Sequence, residues 1–381
     1  MVSIRLGVVG LSSRGWASQA LIPPLFDSLL SAKYTITALC TSSEASATDA
    51  VAKYSKLTGH IVKGYHGKSG PSDIAADPDV DMVVVSVKIP DHYNAVMPAI
   101  EAGKDVFVEW TPGNGLDQTL KIAEAAKRKG VRCLVGSQGH HSASTRKDLI
   151  DSGKIGRVIS TSAILTIPSE IHFWGPTVNH ITAYSANLSK GATMLTIPVG
   201  HLIVVLGHVL GDFSEVSASG AVRIPTASFV DLDGKPTGEI IPKTAHDQVA
   251  LSGVLKGEHD GVFANIHCRA GMECTGDKAG GRHLFQWTID GELGSIEVRN
   301  RVEDGPLGCF IATEKRVFLN GEEVSVEREE IDKLGNTGKA WLEFAKGNDG
   351  KYTTLDEAVK VHRVLDAALT SIQDGRRVYL Q

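Results

Sequence analysis

The sequence is poor in the features that mark membrane-spanning, secreted and nucleic-acid-binding proteins. Its longest apolar stretches, such as residues 82–87 and 203–206, fall far short of the roughly 18 residues needed to cross a bilayer. Lys and Arg number 39 against 44 Asp and Glu, so the net charge of −5 gives no general reason to bind nucleic acid or an anionic membrane. A strand pattern begins almost at the N-terminus and leaves no room for a cleavable signal. We therefore expect a soluble, cytoplasmic protein.

Cysteine is also scarce. The five cysteines, at positions 40, 133, 268, 274 and 309, are scattered and odd in number, and they lack the Cys-x-x-Cys spacing of a zinc site. The histidines have no Asp or Glu companion at a recognisable ligand spacing, and no Gly-x-Ser-x-Gly elbow follows a strand. We therefore expect reduced thiols, no catalytic metal and no serine nucleophile.

The composition is that of an ordinary globular protein, with 42% hydrophobic and 22% charged residues. The length of 381 residues is enough for two or three domains. Over the first third, strand and helix patterns alternate. Strands are predicted at 4–9, 35–40, 82–87, 106–109 and 132–135, and helices at 16–30, 44–56, 91–102 and 116–129. Repeated strand-helix-strand units predict a doubly wound parallel sheet over residues 1–137.

The pattern changes after residue 137. Helices are predicted at 144–152, 201–210 and 355–372, and strands at 158–165, 215–221, 247–255, 261–269, 283–290 and 295–298. Successive strands without intervening helices are typical of an antiparallel sheet. We therefore expect residues 138–381 to form an α+β domain with a large, mostly antiparallel open sheet.

One glycine-containing turn carries a functional signal. Gly10, Ser12 and Gly15 follow the first strand at the three positions of a Gly-x-Gly-x-x-Gly dinucleotide fingerprint. A serine replaces the middle glycine, which weakens the match but adds a hydroxyl donor for a phosphate. The turn is either a nucleotide site or a glycine turn that binds no ligand.

Further motifs follow in an order typical of one family. They are Asp81 to Val85 running to His92, Ala102 to Glu109, Gly153 to Val158 and Gly291 to Ile296. Together with the glycine turn they resemble the Gfo/Idh/MocA family of NAD(P)-dependent sugar and polyol oxidoreductases, from Ile4 to about Leu380. The resemblance implies a Rossmann domain, a last helix, about 355–372, that packs back on it, and an open sheet face used in oligomers.

Three positions depart from the family pattern. Where the family reads Glu-Lys-Pro, with the lysine at the substrate hydroxyl and the nicotinamide, this chain reads Glu109-Trp110-Thr111-Pro112. The family aspartate four residues before the active-site histidine, here His201, is absent. The usual Thr-Pro pair after the fourth strand is replaced by Val87-Lys88.

These departures have their own resemblance within the family. Gly10-Leu11, Gly15-Trp16-Ala17, Val108-Glu109-Trp110 and Gly200-His201 are similar to the branch of the yeast galactose-pathway repressors. Members of that branch bind a nicotinamide dinucleotide and act by protein contact. Their long helical insertion in the C-terminal domain has no counterpart here.

The cofactor-binding candidates come from the turn and from the resemblance. They are Gly10, Ser12, Ser13, Arg14, Gly15, Thr41, Ser42, Val87, His92, Glu109 and Trp110. The second strand ends in Leu39-Cys40-Thr41-Ser42-Ser43, so no carboxylate stands where one would bind a ribose 2′-hydroxyl, and Arg14 is placed to reach a 2′-phosphate. We therefore expect NADP(H) in preference to NAD(H).

The catalytic candidates are His201, because imidazole titrates near neutrality, and Lys88, which follows a buried parallel strand. Each has a simpler explanation without a catalytic role: His201 as a buried, hydrogen-bonded histidine, and Lys88 as a solvated lysine at the end of a strand. The substrate candidates are Trp110, His172, Trp174, His180 and Tyr184. These side chains either stack on a substrate ring or anchor the core and an irregular loop.

Two functions follow from these residues. The first is an NAD(P)-dependent oxidoreductase that transfers hydride to or from a small hydroxyl- or carbonyl-bearing substrate, such as a sugar, a polyol or a secondary metabolite. The alternative is a non-catalytic, nicotinamide-binding transcriptional regulator that acts through a protein partner. In either case we expect a homodimer or a dimer of dimers with no direct nucleic-acid contact, because the second face of an antiparallel sheet would otherwise stay exposed.

Overall fold

The computed structural model describes residues 3–13, 15–142, 147–274, 281–313, 315–325 and 329–380. The chain divides into two compact units. Residues 1–141 and 329–359 form unit 1, and residues 142–328 and 360–381 form unit 2. Within the described residues, no helix is long and apolar enough to cross a membrane.

Unit 1 is built on a six-stranded parallel sheet with the order β3-β2-β1-β4-β5-β6. The strands are β1 (Ile4–Val9), β2 (Tyr34–Thr41), β3 (Lys63–His66), β4 (Met82–Val85), β5 (Asp105–Glu109) and β6 (Cys133–Gly136). The helices between them are α1 (Glu44–Thr58), α2 (Gly70–Ala76), α3 (Ile89–Glu101) and α4 (Leu116–Lys129). β4 is apolar and buried at all four positions because it pairs with β1 and β5 in the sheet centre.

The predicted helix over residues 16–30 is wrong. A single π-helical turn, Ala17–Leu21, is followed by a 3₁₀ turn, Pro23–Phe26. The two consecutive prolines lack backbone N–H donors, and their rings clash with the carbonyls of a preceding helical turn. The glycine turn therefore leads into short turns, without the continuous helix whose dipole usually supports a bound phosphate.

Unit 2 is built mainly on a nine-stranded sheet. Its elements in residues 142–328 are α5 (Lys147–Asp151), β7 (Val158–Pro168), β8 (Thr177–Val178), α6 (Gly200–Leu210), β9 (Asp212–Ala221), β10 (Thr226–Val230), β11 (Pro236–Pro242), β12 (Gln248–Lys256), β13 (Phe263–Met272), β14 (Phe285–Gly291), β15 (Ser295–Asn300), β16 (Lys315–Leu319) and β17 (Glu322–Val324). The C-terminal segment adds α7 (Gly335–Phe344) to unit 1 and β18 (Val378–Tyr379) to unit 2. Between them lies α8 (Leu355–Asp374), whose residues 355–359 belong to unit 1 and whose remaining residues belong to unit 2.

The nine strands have the order β17-β16-β15-β14-β7-β13-β12-β9-β18. All their pairings are antiparallel except that of β7 with β13. A small second sheet has the order β11-β10-β8. The predicted fold class, a doubly wound parallel sheet followed by an α+β domain with a large, mostly antiparallel sheet, is confirmed.

Helix α7 completes the core of unit 1. Trp341 is fully buried, donates its indole N–H to the Leu21 carbonyl at 3.0 Å, and stacks on Phe107 with ring centroids 4.9 Å apart. The Tyr34 hydroxyl donates to the Trp341 carbonyl at 2.7 Å. A segment more than 200 residues away in sequence therefore packs on strands β2 and β5 of the parallel sheet.

Candidate functional site

The strand order of unit 1 determines where a ligand can bind. The order reverses between β1 and β4, and in doubly wound sheets this switch point opens a crevice at the carboxyl ends of the strands. Gly10, Thr41 and Glu109 lie at the carboxyl ends of β1, β2 and β5. Dinucleotides bind across such a crevice, with one mononucleotide on each half of the sheet.

The glycine turn needs glycine at its first position. Gly10 has a φ of +97°, and a Cβ there would overlap the Ser86 carbonyl oxygen. The Gly10 N–H donates to the Cys40 carbonyl at 2.8 Å and the Ser12 N–H to the Gly10 carbonyl at 3.1 Å. A Cβ on Gly15 would lie 2.7 Å from the Ser12 hydroxyl. The turn is tight, and this close packing fits the backbone approach that a pyrophosphate requires.

Ser13, in the glycine turn, has a hydrogen-bond partner that the motif did not predict. Lys53, on α1, donates from Nζ to the Ser13 carbonyl at 3.0 Å. Ser13 is exposed, while Arg14, the predicted 2′-phosphate contact, lies outside the described residues. No local sequence signal identifies Lys53, because the contact joins residues 40 positions apart.

The end of β2 carries hydroxyl groups. The Thr41 hydroxyl is buried and donates to the Ser43 carbonyl at 3.0 Å, whereas Ser42 is exposed. The Ser43 hydroxyl accepts from the Ser46 N–H at 3.4 Å and so caps α1. Ser42 and Ser43 are both exposed in this turn, and Ser43 is used as the cap of α1.

His92 joins the ends of two strands on the other half of the crevice. Its Nδ1 lies 2.7 Å from the Thr111 carbonyl and its Nε2 lies 3.0 Å from the Val87 carbonyl. Burial lowers the pKa of His92, although both carbonyls favour the protonated form. His92 therefore holds the segments after β4 and β5 together.

Glu109 is the last residue of β5, and Trp110 follows it. The Glu109 carboxylate is 9% exposed and accepts from the indole N–H of Trp16 at 3.3 Å. Gly136 leaves it room, because a Cβ there would lie 3.0 Å from the carboxylate. Trp110 is 4% exposed. Trp16 was noted in the sequence only for its resemblance, and its hydrogen bond to Glu109 connects it to the carboxyl end of β5.

The two catalytic candidates lie in different units. Lys88 is exposed in unit 1, in the extended position that precedes the first turn of α3. His201 is half-buried in unit 2, in the first turn of α6, and desolvation lowers its pKa to about 4. At neutral pH His201 is therefore uncharged, and the same desolvation makes it a weaker base than an exposed histidine.

The irregular segment at residues 169–178 contains two substrate candidates. His172 and Trp174 have left-handed φ values of 50° and 62°. The Trp174 indole is 2% exposed and donates to the Ala192 carbonyl at 2.7 Å, so it anchors the loop and offers no surface to a ligand. His172 is half-buried, with Nδ1 2.8 Å from the Thr177 hydroxyl.

A buried ion pair supports this loop. The Lys243 ammonium donates to the carbonyls of Trp174 and Gly175 at 2.8 and 3.0 Å and lies 3.6 Å from the Asp247 carboxylate. Burial lowers the pKa of Lys243, and Asp247 opposes that shift. Asp247 also accepts two backbone N–H bonds, from Arg223 and Ile224. This pair was not predicted from the sequence, because no motif marks it.

The other two substrate candidates lie nearby in the chain. His180 is exposed. Tyr184 is half-buried, and burial raises the pKa of its hydroxyl. Both side chains keep accessible surface, in contrast to Trp174.

Unit 2 also contains a cleft of about 130 Å³. Ile203, Phe213 and Val364 line it, and Lys360 pairs with Asp212 at 3.0 Å at its edge. None of the candidate residues lines this cleft. Among the described residues, no group of three or more His, Cys, Asp or Glu could hold a metal ion.

The chain matches two families in succession. Residues 4–137 match the oxidoreductase family with an NAD-binding Rossmann fold, Gfo/Idh/MocA. Residues 142–300 match the C-terminal domain of Gal80p. The first match covers the parallel sheet of unit 1, and the second covers most strands of the large sheet of unit 2.

Individual proteins give the same result. Dehydrogenase aclE of Aspergillus oryzae is 30% identical over 394 aligned residues, which cover 98% of this chain and 97% of aclE. A super-repressor mutant of Gal80p from Saccharomyces cerevisiae has a TM-score of 0.83 at 22% identity, covering 99% and 98% of the two chains. The WlbA dehydrogenase of Bordetella pertussis, in complex with NADH and UDP-GlcNAcA, has a TM-score of 0.70 at 18% identity, covering 100% and 99%. At these identities the two structural likenesses establish the fold alone.

The resemblance inferred from the motifs is confirmed. Its evidence is the identity to aclE over almost the whole of both chains and the two consecutive family matches. The chain belongs to the Gfo/Idh/MocA oxidoreductase family, on its Gal80-like branch.

Proposed function

We propose that the protein is an NADP(H)-dependent oxidoreductase acting on a small hydroxyl- or carbonyl-bearing substrate such as a sugar, a polyol or a secondary metabolite. The observation that carries the proposal is the tight Gly10 turn at the switch-point edge of the parallel sheet. The full-length similarity to aclE, which is named a dehydrogenase, supports it.

The residues around the crevice fit a dinucleotide in two halves. The backbone of the glycine turn and the Ser12 and Ser13 hydroxyls would hold the diphosphate. Ser42 would face the adenosine ribose. The segments after β4 and β5, with Val87 and Glu109, would hold the nicotinamide half. When bound, the cofactor supplies the hydride acceptor or donor.

The choice of NADP(H) rests on the end of β2. A carboxylate in this position binds the ribose 2′-hydroxyl of NAD(H) and repels a 2′-phosphate. Here Thr41 and Ser42 carry hydroxyls, and the Thr41 hydroxyl is already bonded to the backbone. Ser42 therefore leaves space without negative charge for a 2′-phosphate.

Substrate binding and proton transfer are assigned to the remaining candidates. Within unit 2, His172, His180 and Tyr184 would contact the substrate. Because the family lysine is replaced by Trp110, the proton would pass through His201, which is neutral at pH 7, or Lys88, whose ammonium is exposed.

The cofactor assignment is tested by titrating the purified protein with NADPH and NADH. Ser42→Asp should weaken NADPH binding by at least about tenfold and leave NADH binding equal or tighter. Ser31→Asp, which adds the same charge at another exposed position of unit 1, is the matched control. Equal NADPH affinity in both variants would remove Ser42 from the ribose site.

The catalytic assignment is tested with His201→Asn and Lys88→Met, once a panel of sugars, polyols and ketones has identified a substrate. Removal of the acid or base should slow single-turnover hydride transfer by about 10² to 10⁴ while NADPH affinity stays unchanged. Near-normal rates in both variants would reject this mechanism.

The second candidate function is a nicotinamide-binding regulator without turnover. The match of residues 142–300 to the Gal80p C-terminal domain and the replacement of the family lysine by Trp110 favour it. A regulator should bind NADPH and a protein partner and leave the nicotinamide chemically unchanged with every member of the substrate panel. Turnover of any member would exclude a purely regulatory role.

We further propose a homodimer or a dimer of dimers formed through the open face of the large sheet. Phe263, on β13, is 51% exposed on the face opposite the buried Ala264 and Ile266. Sedimentation of a single monomeric species at micromolar concentration would contradict this assembly. All five cysteines are buried free thiols, in keeping with the proposed cytoplasmic location.

A further inference from the structure

One lysine links the two elements that surround the adenosine half of the crevice. Lys53 lies on α1, its side chain is half-buried, and its ammonium donates to the Ser13 carbonyl at 3.0 Å. The same ammonium lies 5.2 Å from the ring centroid of Tyr54. Ser13 belongs to the glycine turn, so Lys53 connects this turn to the helix that follows β2.

The described partners of the Lys53 ammonium carry no opposite charge. Its two described partners, a backbone carbonyl and an aromatic ring, are both neutral, and no carboxylate pairs with it within the described residues. The charged neighbours on α1 are Glu44 and Asp49 before it and Lys56 after it. One of the three N–H donors of the ammonium is used on Ser13, and the others remain for a further acceptor.

The position of this charge bears on one part of the cofactor. In a doubly wound fold the glycine turn and the end of β2 enclose the adenosine ribose, which carries the 2′-phosphate in NADP(H) and a hydroxyl in NAD(H). Lys53 bridges the turn after β1 and the helix after β2. A phosphate at the 2′ position would therefore add a double negative charge near the turn that the Lys53 ammonium contacts.

We propose that Lys53 is a specificity-determining residue that selects NADP(H) through the 2′-phosphate and holds the glycine turn in place. This inference rests on the proposed function, because it requires a dinucleotide in the crevice. It is separable from that function, since NADH and NADPH share every group except the 2′-phosphate.

The experiment compares Lys53→Met, Lys53→Arg and the control Lys56→Met, which removes an exposed charge three residues further along the same helix. The four probes are NADPH, NADH, 2′,5′-ADP and 5′-AMP, of which the last two isolate the adenosine half with and without the 2′-phosphate. Dissociation constants are measured by isothermal titration at low and at high ionic strength.

We expect Lys53→Met to weaken the binding of NADPH and of 2′,5′-ADP about tenfold or more. The binding of NADH and of 5′-AMP should weaken less than about threefold. Lys53→Arg should retain most of the affinity, and Lys56→Met should change none of the four constants beyond about twofold. The salt dependence of NADPH binding should become shallower in Lys53→Met alone, because a phosphate contact of a full charge is removed.

Three results would overturn the inference. An equal loss for NADPH and NADH would mean that Lys53 only fastens the turn, and unchanged constants would mean that it does neither. The same loss in Lys56→Met would reduce the effect to the general charge of α1. Failure of the unmodified protein to bind any of the four probes would instead refute the proposed function itself.

Discussion

Two irregular segments of this protein adopt left-handed backbone conformations by opposite means. The turn of residues 10–15 in unit 1 uses glycine, and Gly10 reaches a φ of +97° without a Cβ to oppose it. The loop of residues 169–178 in unit 2 uses His172 and Trp174, side chains that resist such angles. That loop is held by the Trp174 indole, by Lys243 and by the Thr182 hydroxyl, which donates to the His172 carbonyl at 2.7 Å.

The difference shows which kind of segment can be predicted from sequence. A glycine turn is stable through local geometry, so its residues alone reveal it. A non-glycine residue in the left-handed region costs about 1–3 kcal/mol and persists only when its surroundings compensate for it. The loop therefore depends on partners such as Lys243, which is about 70 residues away in the chain.

The largest expected effect tests this dependence. Lys243→Met removes the ammonium and leaves the Asp247 carboxylate buried beside a methyl group, which should lower the free energy of unfolding of unit 2 by about 3–5 kcal/mol. Lys235→Met, at an exposed position, is the control. Urea unfolding and hydrogen exchange at the amides of residues 172–177 measure the change. A loss below about 1 kcal/mol would show that the loop holds its shape without the ion pair.

The corresponding change in the turn is Gly10→Ala. The added Cβ combines an unfavourable φ with overlap on the Ser86 carbonyl, so unit 1 should lose about 3 kcal/mol of stability. Gly59→Ala is the matched control, because its φ of +74° is also left-handed but nothing lies within 4 Å of a new Cβ. We expect about 1 kcal/mol there. Equal losses in the two variants would remove the Ser86 contact from the explanation.

His201 should make the stability of unit 2 depend on pH. Burial lowers the pKa of His201 in unit 2 to about 4, below the 6.5 of an exposed histidine. The unfolded chain therefore binds this proton first, and stability that is present above pH 6.5 is lost as the pH falls toward 4. Between pH 7 and 5 the loss should be about 2 kcal/mol for this residue.

His201→Asn should remove that part of the pH dependence. His362, whose pKa burial also lowers to about 4, acts in the same direction and remains as a background in this variant. The readout is the unfolding midpoint of the unmodified protein and of His201→Asn at both pH values. A pH dependence that is identical in both proteins would show that His201 keeps an ordinary pKa.

The smallest effect comes from paired tryptophan substitutions. Trp174→Phe removes a buried indole N–H from the Ala192 carbonyl and should cost about 1–2 kcal/mol. Trp16→Phe removes an indole N–H that donates to Glu109 from an exposed ring and should cost about 0.5 kcal/mol or less. Thermal unfolding of both variants measures the difference. A larger loss of stability in Trp16→Phe than in Trp174→Phe would show that a side-chain hydrogen bond stabilises the turn more than it stabilises the loop.

Much of the fold was predictable because its signals are local. The bounds predicted for α4, residues 116–129, are those observed, and the strands with continuous apolar runs were placed to within a few residues. The helix predicted over 16–30 failed because proline chemistry at 23 and 24 outweighed its apolar pattern. Trp341 could not be assigned to the core of unit 1, since its partners Phe107 and Leu21 are distant in sequence.

The candidate site divides in the same way. Gly10 and Ser42 follow predicted strands and Glu109 ends one, so the strand pattern alone brings them to one edge of a parallel sheet. Lys53 and Lys243 act through carbonyl oxygens of distant residues. A carbonyl oxygen occurs at every position of the chain, so no residue type marks these contacts in the sequence.

The environment of the tryptophans has a spectroscopic consequence. Trp110, Trp174, Trp287 and Trp341 are buried, whereas Trp16 is 57% exposed. Iodide in solution should therefore quench one emitter of the five, the one whose indole donates to Glu109 at the edge of the crevice. Reduced nicotinamide absorbs where tryptophan emits, so the unmodified protein carries an optical reporter, without any attached dye, at the place where a cofactor would arrive.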